Sequence, residues 1–284
     1  MSLIDKYYNS INEEGRLLSQ HGQVEYLTTM KYIHECIAQL KSPKVLEVGA
    51  GTGRYSVSLA KKGYCVTAIE LVKHNLDILK SKLNGTEPIT AIQGNALDLS
   101  MIPDKSFDLT MLLGPMYHLY SLKDKKKAMS EAIRVTKPGG YILVAYCMND
   151  ATIVQYVFLE GNLDQVINAD NLLTEDWHCK SEPKEIFELV RTEDIEKINA
   201  DFPIDRIKLV ATDGFTDYFR KFIDEMDKET FAKWLEYHFA ICERQDLIGT
   251  SNHTLDILKL RWWNKKYSII NLTQKTCAIL LYLI

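Results

Sequence analysis

The sequence predicts an α/β fold: a doubly wound, mostly parallel sheet of seven strands, with helices on both faces and an inserted cap. The strand, turn and helix pattern repeats through residues 44–145, and a glycine-rich turn follows the first strand. The fifth strand is apolar on both faces, as a buried parallel strand must be.

Residues 44–48 form the first strand, which runs into Gly49-Ala50-Gly51-Thr52-Gly53, and residues 55–62 have apolar positions at helical spacing. Residues 64–69 are the second strand, closed by Glu70, and Leu76, Ile78, Leu79 and Leu83 share one face of the helix after it. The third strand, 89–93, leads to Gly94-Asn95-Ala96. The fourth, 107–113, leads to Gly114-Pro115 and a helix over about 122–136. Pro138-Gly139-Gly140 turns the chain into a fifth strand over 141–145. Residues 205–211 and 254–260 complete the sheet, with a helical stretch over 216–244 between them. The chain therefore divides into an N-terminal helical arm or lid (1–40), a cofactor-binding core (41–148), a cap without a confident strand, punctuated by Pro183 (149–190), the remainder of the core (191–260) and a tail (261–284). The arm is expected over the mouth of the sheet.

At 284 residues the chain suits one large α/β domain with insertions. With 46% hydrophobic and 25% charged residues it matches globular proteins. A net charge of -4 supplies no basic field for a phosphate backbone, which counts against nucleic acid as a partner. The six cysteines are scattered without metal-ligand spacing and read as reduced core thiols, so no metal is expected. The N-terminal residues carry acids and amides where a secretory signal needs a basic, then apolar, run, so a cytoplasmic location is expected. Residues 276–284 are apolar but far short of the ~20 residues of a membrane span. They read as a terminal strand or docking segment.

The glycines at 49, 51 and 53 let the backbone approach a ligand and adopt turns that a Cβ would hinder. Glu47, two residues before them, would repel a pyrophosphate and attract an ammonium, which favours an amino-acid-bearing cofactor over a dinucleotide. Glu70 ends the second strand, where the ligand crevice of a doubly wound sheet lies, and its carboxylate can accept both hydroxyls of a ribose. Asn95 ends the third strand; its amide can meet an adenine edge or simply serve the turn.

These residues together resemble the class I S-adenosylmethionine-dependent methyltransferases, in their small-molecule branch of types 11 and 25, over about residues 41–147. The resemblance implies a Rossmann-like sheet and S-adenosyl-L-methionine as cofactor. It places the methionine part on Gly49, Ala50, Gly51, Thr52 and Gly53, the ribose on Glu70 with Leu71, the adenine on Asn95 with Ala96, and Leu113 beside them. The family commonly has Asp where this chain has Asn95, and an amide still accepts from the adenine amino group.

The segment Leu113 to His118 should face the methyl group. It lacks the Asn or Asp followed by Pro-Pro of base amino methyltransferases, and it contains no cysteine nucleophile. The expected reaction is methyl transfer to O, N or C of a small molecule. The alternatives are an RNA or protein methyltransferase, or a non-catalytic cofactor-binding regulator or scaffold. His118, with Tyr117, is the candidate catalytic pair, His118 serving either as general base or only for packing. Tyr7, Tyr8 and Arg16 on the arm either close over the cofactor, Arg16 pairing with its carboxylate, or pack the arm. Two of His238, Glu243 and His253 read as structural. The aromatic run from Phe215 to Phe239 reads mostly as core, and the charges from Lys123 to Lys127 as a solvated helix face. A monomer or a homodimer is expected, with no membrane partner.

Overall fold

The computed structural model describes residues 2–182 and 186–262. Pro183 and the apolar end of the tail lie outside them.

The arm opens with α1 (Leu3–Ser10), where the Ser2 hydroxyl accepts from the Asp5 amide and the Asp5 carboxylate accepts from the Ser2 amide. This reciprocal cap satisfies two otherwise orphaned donors. Helix α2 (Gln20–Ala38) follows, buried through Val24, Met30, Tyr32, Ile33 and Ile37. The chain then alternates β1 (Lys44–Val48), α3 (Arg54–Lys61), β2 (Cys65–Glu70), α4 (Lys73–Ser81), β3 (Ile89–Gln93), β4 (Phe107–Leu112), α5 (Leu122–Val135) and β5 (Thr136–Met148). After the short α6 (Asn149–Thr152) come two π-helical turns, Ile153–Leu159 and Gln165–Ala169, then β6 (Leu189–Val190), α7 (Thr192–Asn199) and β7 (Ile204–Ala211). A 3-10 turn (Thr216–Phe219), α8 (Arg220–Asp224), α9 (Lys228–Ile241) and β8 (His253–Leu260) complete the described chain.

The sheet order is β3-β2-β1-β4-β5-β8-β7, with β6 beside β5. It is parallel except where β8 runs antiparallel between β5 and β7. The expected seven strands are present, and Leu189–Val190 adds an eighth inside the segment where no strand was expected. Alternate residues feed opposite faces, as the strand period of two dictates. Leu46, Leu112, Ile142 and Val144 enter one core, while Val45, Leu109, Met111 and Leu143 enter the other.

Two features position the site. The chain leaves β1 for β2 on one side and returns with β4 on the other, opening a crevice at their carboxyl ends. Because β8 is antiparallel, its first residue, His253, lies opposite Cys147 at that same edge.

Three expectations need correction. The single helix over 216–244 is broken, and α9 restarts where the Asp227 carboxylate accepts from the Thr230 amide. The aromatic run is not mostly core: Phe219, Phe222 and Tyr237 are 53%, 64% and 48% exposed. Helix α9 packs on α2 and fully buries only His238, leaving Phe231, Trp234 and Phe239 half-buried and Tyr237 exposed. The face from Lys123 to Lys127 is not wholly solvated either. Lys125 is buried and pairs with Glu188 at 2.5 Å, because the chain leading into β6 passes over α5.

Candidate functional site

A cavity of about 220 Å3 lies at the carboxyl ends of β1, β2 and β4. The turn after β1 forms its floor. Gly49 has φ +77°, and a Cβ there would meet Pro115 Cδ at 2.6 Å, so the turns after β1 and β4 approach only because glycine stands at 49. Ala50, Gly51 and Thr52 also line the cavity. Gly53 does not; it caps α3 at φ +84°, where a Cβ would meet Leu79 Cγ at 2.5 Å.

Glu70 faces this floor from the end of β2. Its Oε2 accepts from the Gly51 amide at 2.7 Å and its Oε1 from the Val72 amide at 2.8 Å. Burial nevertheless raises its pKa, with the two amides opposing the shift. Glu47 is more deeply placed: it is 1% exposed and accepts from the Ser56 hydroxyl. Burial pushes its pKa up to about 8. Leu71, Asn95, Ala96 and Leu113 line the rest of the cavity, and the Asn95 Oδ1 accepts from the Leu97 amide.

Two lining residues were missed. Arg54 Nε and Asn75 Oδ1 are buried without a partner among the described residues, and both side chains line this cavity. A buried polar atom left unpaired is costly, so a polar ligand fits here. Arg54 was legible in principle, since it follows Gly53 directly; Asn75 carries no such local signal.

The arm closes the cavity through Ile4, Tyr8, Glu13, Glu14, Arg16 and Leu17. Lys82 ties it down, donating to Glu14 and, at 2.7 Å, to the Thr52 carbonyl. Tyr8 Oη bonds His118 Nε2 at 2.8 Å, and His118 Nδ1 meets the Ile186 carbonyl at 2.8 Å. A carbonyl can only accept, so Nδ1 carries the hydrogen and Nε2 accepts from Tyr8. Burial lowers the His118 pKa and favours this neutral tautomer. The Tyr117 hydroxyl donates to the Leu113 carbonyl at 2.9 Å. Arg16 is not free to await an anion: it holds Glu25 at 2.6 and 3.2 Å and Glu13 at 3.3 Å.

A second cavity, of about 700 Å3, shares Tyr8, Glu13, Arg16 and Tyr117 with the first. Its walls are Tyr7, Phe187, Ile153, Val157, Leu172 and Leu173, while Glu25, Asp217, Arg220, Asn252 and His253 make a charged end. Of the three C-terminal candidates, His238 is buried and Glu243 is held by Tyr32 and Lys208. His253 alone reaches a cavity.

Residues 46–144 match a family model described as a methyltransferase domain. Over these residues the chain carries a methyltransferase domain. The chain is 33% identical over 115 residues to a demethylmenaquinone methyltransferase of Renibacterium salmoninarum, 40% of this chain and 46% of the relative. It is 28% identical over 172 residues to an uncharacterized methyltransferase of Mycobacterium tuberculosis, covering 61% and 65%. The chain spans less than half the length of the demethylmenaquinone methyltransferases it matches, 42% and 46% for two of them. A solved structure from Thermotoga maritima, described as a possible histamine N-methyltransferase, superposes with a TM-score of 0.57 at 18% identity, over 91% of this chain and 98% of that chain. That likeness shows the fold. The Thermotoga protein is described as dependent on S-adenosylmethionine.

Proposed function

We propose that this chain transfers a methyl group from S-adenosylmethionine to O, N or C of a small-molecule acceptor held in the larger cavity. The observation that carries this is the pairing of cavities. A cavity with a glycine floor and a strand-end carboxylate shares a wall with a larger one of mixed apolar and charged lining.

In the smaller cavity Glu70 takes the ribose hydroxyls with the lone pairs its amide bonds leave free. Asn95 and Ala96 meet the adenine, with Leu71 and Leu113 on its apolar surface. Ala50, Gly51 and Thr52 bring backbone groups to the methionine part, whose ammonium is met by Glu47. Arg54, with its unpaired Nε, suits the cofactor carboxylate better than Arg16, whose charge Glu13 and Glu25 already meet. When bound, the sulfonium supplies an activated methyl group, and the protein's task is alignment and exclusion of water. Tyr8, fixed by His118, and Tyr117, fixed by Leu113, hold the shared wall in place. The closed arm seals it.

No described helix is long and apolar enough to cross a membrane. Cys36, Cys65, Cys147, Cys179 and Cys242 are free thiols, which supports a cytoplasmic setting. The proposed working form is a monomer or homodimer.

Calorimetry with S-adenosylmethionine and with NADH tests the reading, followed by a screen of small acceptors for S-adenosylhomocysteine release. Saturable binding of the first ligand and none of the second is expected. Binding of NADH alone would overturn it.

A further inference from the structure

His253 sits at the charged end of the larger cavity and is held as few surface histidines are. Its Nδ1 lies 2.6 Å from Asp213 Oδ2, and its backbone amide donates to the same carboxylate at 3.2 Å. The Ser251 hydroxyl donates to Asp213 Oδ1 at 2.5 Å. The His253 carbonyl accepts from the Thr212 amide at 3.0 Å and the Thr212 hydroxyl at 2.9 Å. Asp213 is 1% exposed, so its carboxylate fixes the ring orientation. The other ring nitrogen, Nε2, has no partner among the described residues, and the side chain keeps 24% of its surface where it lines the cavity. His118 differs on this point, since both of its nitrogens are taken.

We propose that His253, oriented by Asp213, is the catalytic residue whose imidazolium binds an acidic hydroxyl of the acceptor, phenolic or enolic, as its oxyanion. This rests on the methyltransferase reading of the neighbouring cavity. The acceptor's O–H proton passes to water as its oxygen comes to accept from the imidazolium N–H at Nε2, and the electron pair stays on oxygen. That pair forms the new bond to the methyl carbon as the carbon–sulfur bond breaks and leaves its electrons on sulfur. The rest of the acceptor is apolar, to match Tyr7, Phe187, Ile153 and Leu172 along the walls.

The charges around His253 support the pair of imidazolium and oxyanion. Against the lowering effect of burial, Glu25 from α2, Cys147 from β5 and Asp213 from the turn after β7 raise its pKa well above the usual value. Glu13 on the arm and Asp217 on the 3-10 turn add negative potential, while Arg16 and Arg220 neutralise their own partners. Donor atoms of Glu25, Asp213 and His253 lie within 4.8 Å of one another. Arg16 on Glu25 and the ring proton of His253 already supply the positive charge these carboxylates require. A cation of this kind suits a hydroxyl more acidic than an alcohol, whose oxyanion forms at lower cost. Acceptor binding below both pKa values releases a proton, so affinity rises with pH until the lower of the two is passed.

The test uses 4-nitrophenol, whose anion is yellow, titrated into the full chain with S-adenosylhomocysteine at a pH below the phenol's solution pKa. The wild type is expected to bind it as the yellow anion. His253→Gln is expected to lose the colour and to methylate the phenol about a hundredfold more slowly below its pKa, recovering above it. In His253→Ala, added imidazole restores the colour. Unchanged S-adenosylmethionine affinity in both variants shows that they are folded. A colourless bound phenol, no bound phenol, a rate loss equal at every pH, or a yellow complex abolished by a chelator would overturn the proposal. Failure of the wild type to bind S-adenosylmethionine would instead sink the methyltransferase reading, and the phenol titration repeated without cofactor keeps the two failures separate.

Discussion

The Glu70 carboxylate and the Gly51 amide, on different strands' ends, meet at 2.7 Å, so the residue expected to hold the ribose also holds the glycine turn. Glu70→Ala therefore removes a charged acceptor and loosens the floor together. S-adenosylmethionine affinity should fall by about 1 to 3 kcal/mol, as read by calorimetry. An unchanged affinity would show that the cofactor does not lie against this carboxylate.

Glu47 makes the binding pH-dependent. Its pKa of about 8 leaves it mostly protonated at neutral pH, and it must ionise to meet an ammonium. Affinity should thus strengthen by nearly tenfold per unit between about pH 6 and about 7, and Glu47→Gln should flatten the profile. The stability effect has the opposite sign. The folded state keeps a proton that the unfolded chain releases above the usual value of 4.5, so Glu47 costs stability as pH rises from there to about 8. In Glu47→Gln the thermal midpoint should lose that slope.

Tyr8 joins the arm to His118 across 110 residues of sequence. Tyr8→Phe deletes that bond alone, at about 1 kcal/mol. Amide hydrogen exchange in α1 should quicken by about fivefold, and kcat/KM should fall while the midpoint of global unfolding hardly moves. Exchange equal to wild type would mean that the arm is held elsewhere.

Lys125 and Glu188 form a pair with 5% and 14% of their side-chain surfaces exposed. Lys125→Ala leaves the Glu188 charge unpaired and should cost about 3 kcal/mol in denaturant unfolding. Exposed Lys123, two residues away, should change stability by less than about 0.5 kcal/mol when replaced by Ala.

Most of the sheet was legible because strands and their helices announce themselves by local periodicity. Residues 44–48 match β1 and residues 89–93 match β3 at both ends. The C-terminal half was less so. Helix α9 has the aromatic content of a core helix, yet lies on α2 near the surface, and composition cannot say which face finds a second layer. Within the cavity, Glu47, Glu70, Asn95 and the lining glycines stand at strand ends that the pattern already located. Gly53 belongs to the same motif but serves packing against Leu79, a distinction only the backbone geometry makes.

Residue order alone determined the wound α/β sheet, the crevice at its carboxyl edge and the acids that face it, since each depends on periods of two and 3.6 residues and on the residue ending a strand. The tertiary structure decided which charges meet: Lys125 with Glu188 across 63 residues, His253 with Asp213 across 40, and Arg16 with Glu25 in place of a ligand. Buried ions need a partner at hydrogen-bond distance wherever the chain supplies one, and that distance is set by how the helices and strands pack, which no local pattern encodes.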